Sequence, residues 1–265
     1  MTTPDVKQTL AHQLRELRLP SFREHYEALA RNAEQNTLSY EQYLLELANR
    51  ECETRRANRI ETMLRQSRLP LEKTLESFDL KRLPAKVSRL VRSLADGGFV
   101  ERCENVLAFG KPGSGKTHLL AGLSHELIRQ GKRVCFSPCS LLVQELLIAK
   151  RDLKLSRVLK RLSRFDAILI DDIGYVQQSR EEMEVLFTLL AERYERGSVM
   201  LTSNLPFSKW EAIFKDPMTT AAAIDRLVHH CVILELNIGS YRLENAQQSK
   251  PTKKSALDIP GREQG

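Results

Sequence analysis

The sequence predicts an α/β fold, a parallel sheet flanked by helices, preceded by a smaller all-α region. Three observations carry this reading. From about Asn105, five short apolar runs (106–109, 134–136, 167–170, 199–201 and 232–234) alternate with helical stretches. Strands separated by helix-length segments cross over and pair in parallel. The first run ends on a glycine-rich turn that opens a helix, and the third ends on two carboxylates. The first 70 residues, in contrast, contain no glycine and space their apolar residues as helices do.

Each element follows in order. Val6, Leu10, Leu14 and Leu17 recur at helical spacing until Pro20 stops them. Ser21 with Glu24 has the form of a capping box, followed by Tyr26, Leu29, Ala30 and Ala33 on one face. Ser39 with Gln42 opens a long helix through Tyr43, Leu47, Ile60 and Leu64 to about Ser67. Arg-Leu-Pro recurs at 18–20, 68–70 and 82–84, but without a common period, so it marks helix ends and no repeat. Residues 1–70 form the helical region, 71–104 a linker with a helix leading into the core, and 105–243 the α/β domain. Helices are expected at 116–130, 140–150, 153–164, 179–196 and 217–229. The polar, turn-rich stretch 244–265 lacks the apolar content to build a core.

With 265 residues, 42% of them hydrophobic, fibrous and wholly disordered chains are excluded. The N-terminal MTTPDVKQTL has no basic segment leading into an apolar one, and no apolar stretch approaches the roughly 18 residues that span a bilayer. Five scattered cysteines without a CxxC pair support neither a disulfide framework nor a zinc ribbon. These features predict a soluble cytoplasmic chain with reduced thiols and no membrane partner. Forty-one Lys and Arg against 34 Asp and Glu leave a net charge of +7, which makes a polyanionic partner worth testing.

Gly110-Lys111-Pro112-Gly113-Ser114-Gly115-Lys116-Thr117 satisfies the Walker A pattern between a strand and a helix. Such glycines let backbone N–H groups curl around a β-phosphate, and the helix N-terminus adds donors and dipole. Lys116 bridges β- and γ-phosphates in this scheme, Thr117 ligates Mg²⁺, and His118 completes the ATP-binding set. A plain glycine turn accounts for neither the lysine nor the threonine. Ala167-Ile168-Leu169-Ile170-Asp171-Asp172 is a Walker B arrangement at the C-terminal end of a strand, where open α/β sheets bind ligands. Asp171 is assigned to the magnesium shell and Asp172 to the attacking water as general base. Thr202, Ser203 and Asn204 end another strand and offer a polar contact to that water. Arg226 in AIDRL could stabilise a γ-phosphate from a neighbouring subunit, or simply pair with Asp225.

In order along the chain, FGKPGSGKTHL, LIDDIGY, LTSNLPFSKW, DRLVHHCVILEL and GSYRL resemble the AAA+ ATPases of the IstB/DnaC branch. That resemblance implies strand order 5-1-4-3-2, a minimal lid, Asn204 as sensor 1, Arg226 as arginine finger and Arg242 as sensor 2. It also implies a homo-oligomer with active sites between subunits. Asp172 stands where many relatives have glutamate. LRELRLPSFREHYEAL, LSYEQYLLELANRECETRRANR and PLEKTLESFDL resemble the IstB proteins of insertion sequences, so the likeness extends over about residues 8–243. It implies an ATPase that assembles on and remodels double-stranded DNA and stimulates an IstA-type transposase. The alternatives are a DnaC-like helicase loader, or a small-molecule kinase if the P-loop is taken alone. For the adenine, Phe78 and Asp79 are the sequence's only suggestion.

Residues 129–164 carry ten basic side chains against Glu145 and Asp152, a net of +8 that exceeds the charge of the whole chain. Lys150, Lys154, Arg157, Arg161 and Arg164 recur in steps of four and three, tracing one helix face, with Leu155, Val158, Leu159 and Leu162 on another. With Arg133, Arg151 and Lys160 they form the expected DNA surface. A solvated basic helix is the equally weighted alternative. No recognition motif accompanies them, so backbone contacts largely independent of sequence are expected. Further basic groups, Arg50 to Arg68 and Lys81 to Arg92, are ambiguous.

Overall fold

The structure, a computed structural model, describes residues 5–174, 179–210 and 217–241, and it divides between Arg68 and Leu69 into two units. The described part of the first unit is helical: α1 Val6–Glu16, α2 Pro20–Gln35 and α3 Tyr40–Ser67. With no glycine available, the turns after these helices place Arg18, Thr37 and Arg68 in the left-handed region (φ 56°, 50° and 60°). Ser39 and Gln42 do form a reciprocal capping box at the start of α3. Ser21 and Glu24 do not. Pro20 takes the first helical position of α2 with Leu19 as N-cap, which moves Ser21 inside the first turn. The Ser21 N–H instead donates to Glu51 Oε2 at 2.9 Å. Glu51, only 4% exposed, also accepts from Arg55 Nε at 2.7 Å. Burial works to raise its pKa, but the Arg55 and Ser21 hydrogen bonds outweigh it and hold the carboxylate below its ordinary range.

The second unit begins with a short 3₁₀ turn, Leu80–Arg82, then α4 Ala85–Ala95 and α5 Gly98–Glu101. There follow β1 Asn105–Gly110, α6 Lys116–Arg129, β2 Val134–Pro138, α7 Cys139–Arg151, α8 Leu155–Leu162 and β3 Ala167–Ile173. The chain continues through α9 Arg180–Arg193, β4 Ser198–Ser203, α10 Pro217–Val228 and β5 Cys231–Leu236. The strands pair in parallel in the order β2-β3-β4-β1-β5, the expected 5-1-4-3-2 read from the other edge.

Both faces of the sheet are covered. Leu107, Ile168, Ile170, Val199 and Leu201 point into a core with Leu142, Leu146, Leu186, Leu189 and Leu227 from α7, α9 and α10. Val106, Ala108, Leu169 and Met200 alternate with them and are buried as well, and Ser124 of α6 meets Met200. A sheet buried on both faces makes its strands apolar throughout, which is why they read as continuous runs.

Two local irregularities matter for function. The β3–β4 register shifts between Ile170 and Ile173, and Asp172 sits there with φ 59°. Helices α7 and α8 are separated by a turn in which Leu153, 92% exposed, has φ 57°. The basic series from Lys150 to Arg164 therefore does not trace one helix: Lys150 lies in the last turn of α7, Lys154 occupies the N-cap position of α8 and Arg164 follows that helix. Arg242 and the stretch 244–265 lie outside the described residues.

Candidate functional site

The loop from β1 to α6 is built on close approaches that only glycine permits. A Cβ at Gly115 (φ 89°) would stand 2.8 Å from the Phe78 ring, and one at Gly113 (φ 80°) would collide with Ser240 Oγ. Lys116 is 5% exposed, and its ammonium donates to the carbonyls of Gly110 (2.9 Å) and Lys111 (3.0 Å). The loop thus holds a buried cation at the first turn of α6. Ser114 Oγ is buried without a hydrogen-bond partner among the described residues.

A cavity of about 260 Å³ opens beside this loop, lined by Pro112, Gly113, Gly115, Lys116, Thr117, His118, Asp172 and Asn204 with Lys73, Phe78 and Tyr241. Asp172 reaches it because the bulge turns its backbone into the left-handed region and leaves its side chain exposed at the strand end. Asp171 is buried behind, where Thr202 Oγ1 donates to Asp171 Oδ1 at 2.7 Å and accepts from the Asp172 N–H at 2.7 Å. Of the three polar residues ending β4, Thr202 is thus committed to the paired aspartates. Ser203 is committed to Ile173 and Leu205, so Asn204 alone of the three lines the cavity.

A cradle whose glycine positions cannot carry side chains, a buried lysine beside it, an unsatisfied hydroxyl in the loop, and one carboxylate lining the cavity with a second buried behind it fit a nucleoside triphosphate with Mg²⁺. Of the two residues expected to hold the ion, Thr117 lines the cavity and Asp171 is buried behind it. Gly110 and Lys111 serve through their carbonyls. Phe78 packs edge-on against His118 with ring centroids 5.3 Å apart. Asp79 instead caps the 3₁₀ turn by accepting from the Lys81 N–H. His118 Nε2 lies 3.0 Å from both the Thr74 carbonyl and Ser77 Oγ. Burial lowers its pKa, which favours the neutral ring. Lys73 and Tyr241 join the cavity from outside the phosphate-binding motifs. Tyr241 donates its N–H to the Gly113 carbonyl at 3.0 Å and lies 4.2 Å beneath the Arg82 guanidinium.

Arg226 is elsewhere. It lines a second cavity with Asn105 and Val199, at the opposite ends of β1 and β4 from the phosphate loop. Six-residue strands put these ends roughly 15–20 Å apart. The guanidinium rests over the Phe187 ring (4.6 Å) and donates to the Ala222 carbonyl, so it does not reach its own chain's phosphate loop.

The basic residues of α7 and α8 separate into two classes. Lys150 pairs with Glu184, Lys154 with Asp152 and Arg161 with Glu145. Arg133, Arg151, Arg157, Lys160 and Arg164 are exposed and have no side-chain ion pair among the described residues. Arg193 connects this region to the sheet. Only 3% exposed, it donates to the carbonyls of Leu162, Phe165, Asp166 and Ser198, tying the end of α8 to the starts of β3 and β4.

The chain matches the family described as IstB-like ATP binding protein over residues 12–249. It belongs to the IstB-like ATP-binding family. Among its relatives, the insertion-sequence ATP-binding protein y4iQ/y4nD/y4sD of Sinorhizobium fredii is 40% identical, covering 91% of this chain and 81% of that protein. The insertion sequence IS21 ATP-binding protein of Pseudomonas aeruginosa is 38% identical and covers 93% of each. The DnaC helicase loader shares the fold at TM-score 0.54 and 16% identity, over 64% of this chain and 98% of that one. DnaI does so at TM-score 0.53 and 20% identity, over 63% and 94%. The IstB-like match includes the helical first unit almost entirely. Among the described residues no helix is long and apolar enough to cross a membrane.

Proposed function

We propose that this IstB-like protein is an ATP-hydrolysing assembly factor of an insertion sequence, which oligomerises on duplex DNA, remodels it and stimulates an IstA-type transposase. One observation carries the ATPase reading: Lys116, Thr117, Asp172 and Asn204 line one cavity, with Arg226 at the far end of the same sheet. Among the described residues no arginine lines the cavity that holds the phosphate cradle and the carboxylate, which supports completion of the site by a second copy.

The chemistry follows from placement. Lys116, freed from its loop carbonyls by the stronger acceptor, neutralises the β- and γ-phosphates. Mg²⁺, when bound, offsets phosphate charge. Asn204 orients a water whose oxygen attacks the γ-phosphorus while Asp172 takes its proton. The bond to the β–γ bridging oxygen breaks and ADP leaves with the electron pair. A neighbour's Arg226 stabilises the charge that develops.

The exposed cations Arg151, Arg157, Lys160 and Arg164 support the DNA reading, since their apolar counterparts Leu155, Val158, Leu159 and Leu162 are packed inward. Arg193 offers a mechanical route from that surface to β3 and its carboxylates. DnaC and DnaI share the core fold, so helicase loading is the second reading; the family match over the first unit favours the insertion-sequence role.

The test is ATP-dependent assembly on double-stranded DNA seen by electron microscopy, with Lys116→Ala as control. Ordered oligomers with wild type and none with the variant are expected. A chain that stays monomeric with ATP and DNA overturns the proposal. Capture of a replicative helicase in preference to an IstA-type transposase would shift it to the second reading.

A further inference from the structure

We propose that Glu195, His229 and His230 form a zinc-type metal site beside the helix that carries Arg226. Glu195 lies in the turn between α9 and β4, held at φ 57°, while the two histidines form the turn between α10 and β5. One carboxylate oxygen and one nitrogen from each ring all lie within 4.8 Å of one another. Tetrahedral zinc with bonds of about 2.0–2.1 Å places its ligand atoms roughly 3.4 Å apart. The three side chains are exposed and on turns, so closing the difference requires rotamer adjustment and no movement of packed backbone.

The surroundings favour a cation with nitrogen and oxygen ligands. The Tyr194 hydroxyl is 3.0 Å from His229 Nδ1; in the proposed site this outer hydrogen bond would hold the ring with Nε2 as the ligand atom, the usual arrangement on a metal-binding histidine. The charged groups around the cluster are Asp225, Glu104 and Glu101 against Arg226, Arg102 and Arg193, the last committed to four backbone carbonyls. Arg102 is already paired with Glu104 at 2.8 Å, and Arg226 is turned onto Phe187. Two imidazoles with one carboxylate are the donor set of a zinc site that keeps a fourth position open. His230, Tyr194 and Glu195 line a cavity of about 190 Å³ that also contains Arg226, giving that position room for water. A bound ion would join the turn after α9 to the turn after α10, fixing the end of the helix on which Arg226 is carried.

The experiment is a Zn²⁺ titration by calorimetry of the full chain without an affinity tag, stripped with chelator, together with visible absorption of the Co²⁺-substituted protein. One ion per chain with micromolar affinity and a tetrahedral Co²⁺ spectrum is expected. His229→Gln with His230→Gln should weaken binding at least tenfold, and Tyr194→Phe about tenfold through loss of the outer hydrogen bond. Glu195→Gln, a near-isosteric change on an exposed turn, serves as a second variant should the double one fail to fold, and it too should weaken binding. Absence of Zn²⁺ binding overturns the proposal. So does binding that persists unchanged in the variants, as an ion at the phosphate-loop aspartates would, or a thiolate charge-transfer band pointing to cysteine.

Discussion

If α8 meets DNA through phosphates, its cations should contribute unequally, because some are already neutralised within the chain. Arg157, Lys160 and Arg164 have no ion-pair partner among the described residues, whereas Arg161 lies 2.5 Å from Glu145. Each phosphate neutralised on B-DNA contributes about 0.9 to the slope of log affinity against log salt. Changing all three free cations to Gln should therefore reduce the slope by about 2.7 per protomer. Across a fourfold change of salt, that loss makes the affinity about 40-fold less salt-sensitive. Arg161→Gln should change the slope little, while Glu145→Gln should raise it by up to about 0.9 by releasing Arg161. Fluorescence anisotropy with a labelled duplex and saturating ATP, repeated over a range of salt and with unrelated sequences, measures this directly. A triple variant with the wild-type slope would refute the placement of DNA on α8 and leave the basic face as a solvated surface.

Other substitutions test other links. Asp172→Asn should bind ATP with near wild-type affinity but lower turnover by about 10²–10⁴, the usual range for a general base; normal turnover in a phosphate-release assay removes that role. Arg193→Ala should cost about 3 kcal/mol in denaturant unfolding, because it leaves four carbonyls without their charged donor. A loss under about 1 kcal/mol would contradict a structural tie there. Burial, helped by Lys73 and opposed by the Thr74 carbonyl and Glu72, lowers the His118 pKa. The folded protein thus favours the neutral ring, so this contribution is complete above the ordinary histidine value of about 6.5 and is lost as pH falls through the lower folded value. Melting temperature should fall less between pH 7 and pH 5 in His118→Gln than in wild type; equal falls contradict this.

What the sequence revealed and what it concealed differ by range. The phosphate loop and the paired aspartates are contiguous motifs, and a sheet buried on both faces writes itself as apolar runs. The Ser39–Gln42 capping box is equally local and is present. The Ser21–Glu24 pattern is just as local, yet Pro20 starts the helix first. Leu153 breaks the basic helix without any glycine or proline to announce it. The bulge that aims Asp172 depends on Thr202 across the sheet, and Lys73, Phe78 and Tyr241 are brought together from segments more than 160 residues apart. Arg193 reads as one more surface cation on an amphipathic helix, although it is nearly inaccessible.

The central claim is that one chain supplies the phosphate cradle and base while another supplies the arginine. Mixing Arg226→Ala subunits with Asp172→Asn subunits tests it most directly, since each is defective alone and only a mixed interface joins an intact Asp172 to an intact Arg226. With random assembly in equal amounts, ATP hydrolysis should recover to about a quarter of the wild-type rate. Hydrolysis that remains at the level of the separate variants, with mixed oligomers present, would contradict a site shared between subunits.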